Sequence, residues 1–154
     1  LQIVDPSDSV AGLRVNLPYG RNDNVEWLDL GVLNRADGSF RGLGMGVVNS
    51  AGEYMTGLTA GVWNDVLMDA WGVQVGVLNT VGYRASGGQV GLFNRADSLR
   101  GYQVGLLNHV WDAEGVQVGV LNISGTLDGV QIGVLNIVTE RYRWRALPLL
   151  SIGW

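Results

Sequence analysis

The sequence predicts an all-β, single-domain β-solenoid of 14- to 15-residue coils, with atypical capping segments at both ends. Three observations carry this reading. Asn recurs at 34, 49, 64, 79, 94, 108, 122 and 136, at a spacing of 15 and then 14 residues. A Gly stands three residues before each of these Asn, and a second stands seven before in every copy but the first, where Trp27 takes its place. Between the glycines, apolar residues alternate with Gly and Gln, which is the period of a strand. A fixed repeat length without odd–even alternation is what stacked, equivalent coils require. An eight-stranded up-and-down β-barrel is the alternative, and it asks for connections that alternate in length.

The chain divides into an N-terminal cap at 1–26, eight repeats at 27–140 and a C-terminal cap at 141–154, all within one domain at 1–154. In the N-terminal cap a degenerate strand, Leu13 to Leu17, is expected to stop at Pro18-Tyr19-Gly20 and a polar turn, Arg21-Asn22-Asp23-Asn24. The last five copies complete the motif G-x-Q-x-G-x-x-N, as in GVQVGVLN, while earlier ones carry Asp29, Gly44 and Thr59 in the Gln column. Alternation places Val73, Val75 and Val77 on the buried face. It breaks at the large residue before Asn (Leu78, Phe93, Leu107), which predicts two successive inward side chains and a bend.

Each Asn is expected to stack on the next. Asn34, Asn49, Asn64, Asn79, Asn94, Asn108, Asn122 and Asn136 then form a structural ladder at a corner, since an amide both donates and accepts. Gln74, Gln89, Gln103, Gln117 and Gln131 should form a second, outward ladder. The linkers have inward positions of their own, two residues after Asn (Ala36, Ala51, Val66) and two before the next Gly (Phe40, Met55, Ala70). In the C-terminal cap Arg141, Arg143 and Arg145 alternate with Tyr142 and Trp144, and the chain closes on Trp154. Charge and Pro at an edge block pairing, so capping is the first reading of both ends. End-to-end contact through Arg141, Arg143, Trp144, Arg145 and Trp154 is the other.

Composition limits the chemistry. Apolar residues make up 47% and charged residues 16%, with 24 Gly, a mixture that suits β structure and opposes helix. A net charge of −4 gives no field for nucleic acid. There is no Cys, hence no disulfide and no thiolate metal site. No apolar run is long enough for a transmembrane helix. Leu1 rather than Met at the start suits removal of a signal peptide, or simply a trimmed chain.

Catalytic, cofactor-binding and metal-binding residues are not discernible, and no cofactor is expected. Asp37 and Asp97 share a column but lie four coils apart, and His109 has no nucleophile at a recognisable spacing. The calcium-binding nonapeptide pattern is absent. Asn122-Ile123-Ser124 matches a glycosylation sequon, but a ladder would bury Asn122. Trp63, Trp71 and Trp111 fall in different columns, so no aromatic stripe marks a carbohydrate site. Thr56, Thr59, Thr80, Thr126 and Thr139 make no flat ice-binding array.

The G-x-Q-x-G-x-x-N units, together with Gly12 to Gly20, Leu28 to Asn34 and the closing Leu147-Pro148-Leu149-Leu150, resemble the bacterial surface-repeat proteins of the Leptospira and Bacteroidetes type. The resemblance covers nearly the whole chain. It implies an exported, surface-associated or extracellular protein of unassigned biochemical role. The lipid anchor common in that family is not carried over, because no Cys is present. The resulting expectation is a non-enzymatic structural or surface-interaction solenoid that meets itself through its ends or meets cell-surface partners. A small outer-membrane barrel with its Val/Leu face toward lipid is the alternative, followed by a carbohydrate- or ice-binding module.

Overall fold

A computed structural model describes the backbone of residues 5–140 and 143–154, and the side chains of 5–139 and 145–154. Eight strands follow in order: β1 (Val10–Asn22), β2 (Val25–Ala36), β3 (Phe40–Met45), β4 (Val48–Ala51), β5 (Tyr54–Ala60), β6 (Trp63–Val66), β7 (Asp69–Glu140) and β8 (Arg143–Gly153). From β1 to β7 every pairing is parallel, β1 with β2, β2 with β3 and β4, β3 with β5, β4 with β6, and both β5 and β6 with β7. Each residue pairs with the one a repeat further on, as in Met55 with Ala70 and Asn64 with Asn79. The chain is therefore a β-solenoid. An up-and-down barrel would need antiparallel neighbours.

β7 winds through the remaining coils without a break, and β8 folds back antiparallel onto its last part, from Glu140–Arg143 to Gly129–Gly153. At the other end β1 does not stop at Pro18. It continues to Asn22 in register with Ala36, absorbing an irregularity between Asn16 and Tyr19. Of the expected turn, Arg21 and Asn22 belong to the strand, paired with Arg35 and Ala36, while Asp23 and Asn24 do separate β1 from β2.

Four columns point inward. The two linker columns are buried as their spacing predicts, and they compensate each other in volume. Val66, Val81 and Val110 sit with Ala70, Ala85 and Ala113, whereas Ala36, Ala51, Ala96 and Ser124 sit with Phe40, Met55, Leu99 and Leu127. A bore this narrow accepts one large residue per linker, so packing density is conserved coil by coil.

The other two columns are Asn and Gln, and here the strand parity expected from sequence is reversed. Gln74, Gln89, Gln103, Gln117 and Gln131 are all buried at 1% exposure or less, so theirs is an inward ladder, not an outward one. Val75 and Val77 instead face out, at 40% and 41% exposure. Gly76 shows why. A Cβ there would lie 2.6 Å from the Gly61 carbonyl oxygen and 2.7 Å from Asn64 Nδ2. Only Gly can point inward beneath the Asn amides, and Gln74 shares its parity. The bend before Asn is real but has the opposite sense, with Val77 and Leu78 successively outward and Asn79 turned in.

The first residue of each motif turns a corner with positive φ. Gly72, at φ 137°, lies so near the coil before it that a Cβ would overlap the Gly57 carbonyl. Trp27 occupies the same corner at φ 91°, a conformation costly for any residue but Gly.

Candidate interaction surfaces

Inside the bore, the Asn side chains form a continuous ladder. Asn34 Nδ2 donates to Asn49 Oδ1 at 2.9 Å, and the same bond repeats at 2.8 Å from Asn49 through to Asn136. The second N–H of each amide goes to a backbone carbonyl, as from Asn64 to Val75 at 2.9 Å. Gln89 Nε2 donates to Gln74 Oε1 at 2.8 Å, and the pattern runs on to Gln131. Both sets are committed to the interior, so neither offers an amide to a ligand. Asn122 is fully buried, which removes it as a glycan acceptor.

In the N-terminal coils the Gln column holds different residues. Arg14 binds Asp29 with both forks, Nε to Oδ1 at 2.9 Å and Nη2 to Oδ2 at 2.6 Å, and its Nη1 reaches Asn22 Oδ1 at 3.0 Å. Asn16 donates to Asp29 and to Asn34, starting the Asn ladder. Gly44 and Thr59 follow, and beside them lies a cavity of about 10 Å³ bordered by Phe40, Met55 and Gln74. That volume is near the minimum for a single water.

The outer surface is divided by charge. Within the nine segments from corner to Asn the only charged residues are Arg14 and Asp29, both buried. Every other charged side chain lies in a linker or toward the termini. The outward positions of those segments, the second, fourth and sixth of each motif, are filled almost wholly by aliphatic residues. Val104, Leu106, Val118, Val120, Ile132 and Val134 are typical, with Val134 reaching 66% exposure. The result is an uncharged apolar flank along the rod, far larger than the scattered exposure ordinary surfaces carry. Its signal was present in the sequence as the absence of charge from eight-residue stretches.

The linker side carries the charged side chains, interspersed with exposed apolar ones such as Leu67, Met68, Tyr83 and Trp111. Asp37 is held between Arg21 at 2.7 Å and Arg35 at 2.8 Å, and those two guanidinium groups keep its carboxyl below the usual range. Arg100 meets Glu114 at 2.7 Å. His109 packs edge-on to Trp111, with centroids 5.6 Å apart, and burial, aided by Arg95, lowers its pKa. On the same side Tyr54 and Trp71 stack 5.7 Å apart at the wall of a groove of about 320 Å³ that also takes in Glu26, Arg41 and Thr56. Sequence columns alone did not bring these two rings together, because they lie two positions apart on adjacent coils.

At the C-terminal end Arg145 is exposed in β8 and Trp154 is 98% exposed. Arg143 and Trp144 lie in the β8 backbone, but their side chains, like Arg141 as a whole, fall outside the described residues. Among the described residues no three metal-binding side chains cluster, and no helix is long and apolar enough to cross a membrane. Comparison with known protein families, curated proteins and solved structures gives no match.

Proposed function

We propose that this chain is a non-enzymatic structural scaffold, exported to the cell surface or beyond, that works by contact along its uncharged flank. The observation that carries the reading is the flank itself. It runs the length of the rod and has no charge, and surfaces of that size and character mark interaction sites. The likeness of the repeat to bacterial surface-repeat proteins supports the location.

The ends fit caps better than joints. β1 and β8, the two terminal strands, each contain a proline, Pro18 and Pro148. Proline withholds a donor from any strand added to that edge. Negative-stain electron microscopy in detergent-free buffer, over a range of concentrations, tests this. Discrete short particles are expected. Filaments of uniform width would make the ends joints and overturn the capping reading.

A second reading, a carbohydrate-binding module, draws on the groove beside Tyr54 and Trp71, where an aromatic pair faces Glu26, Arg41 and Thr56. A glycan array that retains no sugar would remove it.

A further inference from the structure

We propose that the apolar flank pairs with the flank of a second copy of this chain, closing a two-fold sandwich. This rests on the reading of the flank as an interaction surface and names its occupant. Nine corner positions, from Gly12 to Gly129, set the length. At about 4.8 Å per coil, with three outward residues about 6.6 Å apart across the strand, the flank covers about 800 Å². A stable interface needs about that area from each partner.

The surface also suits its own image. Its outward columns, such as Val75 and Val77 with Val104, Leu106, Val118 and Val120, repeat along the rod, so two flanks can pack face to face as sheets do, about 10 Å apart. Although each chain carries a net charge of −4, no like charges meet on this face. The acidic balance lies in the linkers, and it disfavours the other obvious occupant, an anionic lipid surface.

The two rims of the flank differ in sign. The position after each Asn carries Arg35 and Arg95 against Asp65, with Arg21 in register beside Arg35. The position before each corner carries Glu26, Glu114 and Asp128 against Arg41 and Arg100, of which Glu26 meets Arg41 and Glu114 meets Arg100. Arg21 and Arg35 also hold Asp37, and Asp97 stands two residues beyond Arg95, so the sign difference is carried by the residues that border the flank directly. A two-fold axis parallel to the rod brings the basic rim of one copy over the acidic rim of the other. Coils then meet their equivalents, so the pair is closed and does not propagate.

The test is molar mass by sedimentation equilibrium in detergent-free buffer, from about 1 to 100 μM, at or above the μM-to-pM span of dissociation constants for interfaces of this area. A species of twice the 16.5 kDa chain is expected. Val104→Glu with Val118→Glu should weaken association at least 100-fold with the circular dichroism unchanged, and Glu114→Gln on the rim should leave a dimer. Should the double variant fail to fold, single cysteines decide, since the chain has none of its own. A short bis-maleimide, of about the 10 Å sheet spacing, should cross-link two copies of Val75→Cys and should not cross-link Tyr83→Cys on the linker side. A wild-type monomer across the whole range overturns the proposal. If that monomer floats with phosphatidylcholine vesicles, the flank is an interaction surface whose partner is lipid; if it ignores them, the flank reading fails as well.

Discussion

Between Gln74 and Gln131 the third inward column is filled by the same side chain in every coil, whereas between Arg14 and Thr59 no two coils use the same one. The C-terminal coils satisfy their interior by repetition, each amide bonding the next at 2.7–2.8 Å. The N-terminal coils rely on one concentrated device, the buried Arg14–Asp29 pair, and then on apolar bulk. Phe40 fills the space over Gly44, its ring 3.1 Å from where a Cβ would stand, and Met55 accompanies Thr59. The same bore can thus be filled by a polar ladder or by an ion pair and large apolar residues. The first spreads its stability over many equal bonds, and the second places it in a few residues.

The largest effect should come from breaking the ion pair. Asp29→Ala leaves the buried Arg14 guanidinium without its carboxylate, at an expected cost of about 3–5 kcal/mol. Arg14→Met together with Asp29→Leu should recover most of that, because neither charge then remains buried. Urea midpoints measure both, and hydrogen exchange should show β1 and β2 opening while β7 stays protected. Uniform loss of protection along the rod would mean that the two regions fold as one unit.

Next comes the ladder. Gln103→Leu strands Gln89 Oε1 and Gln117 Nε2, which should cost about 2–3 kcal/mol. The corresponding Thr59→Val should cost nothing and gain up to about 1 kcal/mol, since the Thr59 hydroxyl is buried without a hydrogen-bond partner. Equal losses at the two positions in thermal or urea unfolding would erase the distinction drawn between the regions.

The smallest effect belongs to the one irregular corner. Trp27→Gly relieves a positive φ that the other corners give to Gly, and should raise stability by about 1 kcal/mol. A loss of stability would show that the indole, 72% exposed, is packed more productively than its exposure implies.

The coil itself was legible in the sequence because Asn is a poor strand former and yet recurs at fixed spacing, which only a side-chain ladder explains. The linker columns were legible for the same reason. Strand parity was not. Alternation says that Val75 and Gln74 face opposite ways, and transfer free energies then favour Val inside. That preference fails here because the inward position beside Gln74 must be Gly76, packed beneath Asn64 and Asn79, so the strand cannot turn its valines in. Close backbone approach at the glycines gives the correct face only when it is tied to the Asn column, with Gly76, which shares the parity of Gln74, beneath the Asn amides. The reciprocal sizes of Val66 with Ala70 and Ala36 with Phe40 are also present in the sequence, and they reflect a shared bore.

The two ladders point in opposite directions along the rod: each Asn donates toward the C-terminus and each Gln toward the N-terminus. An internal coil therefore both gives and receives the ladder bonds of its Asn and Gln, and a ladder amide is left unsatisfied at a ladder end, as at Gln131 Oε1. Whole coils can be spliced in or cut out between Gln74 and Gln131 without leaving an orphan behind. The molecule behaves as a ruler graduated in steps of about 4.8 Å, on which copy number sets reach and leaves the end pieces unchanged.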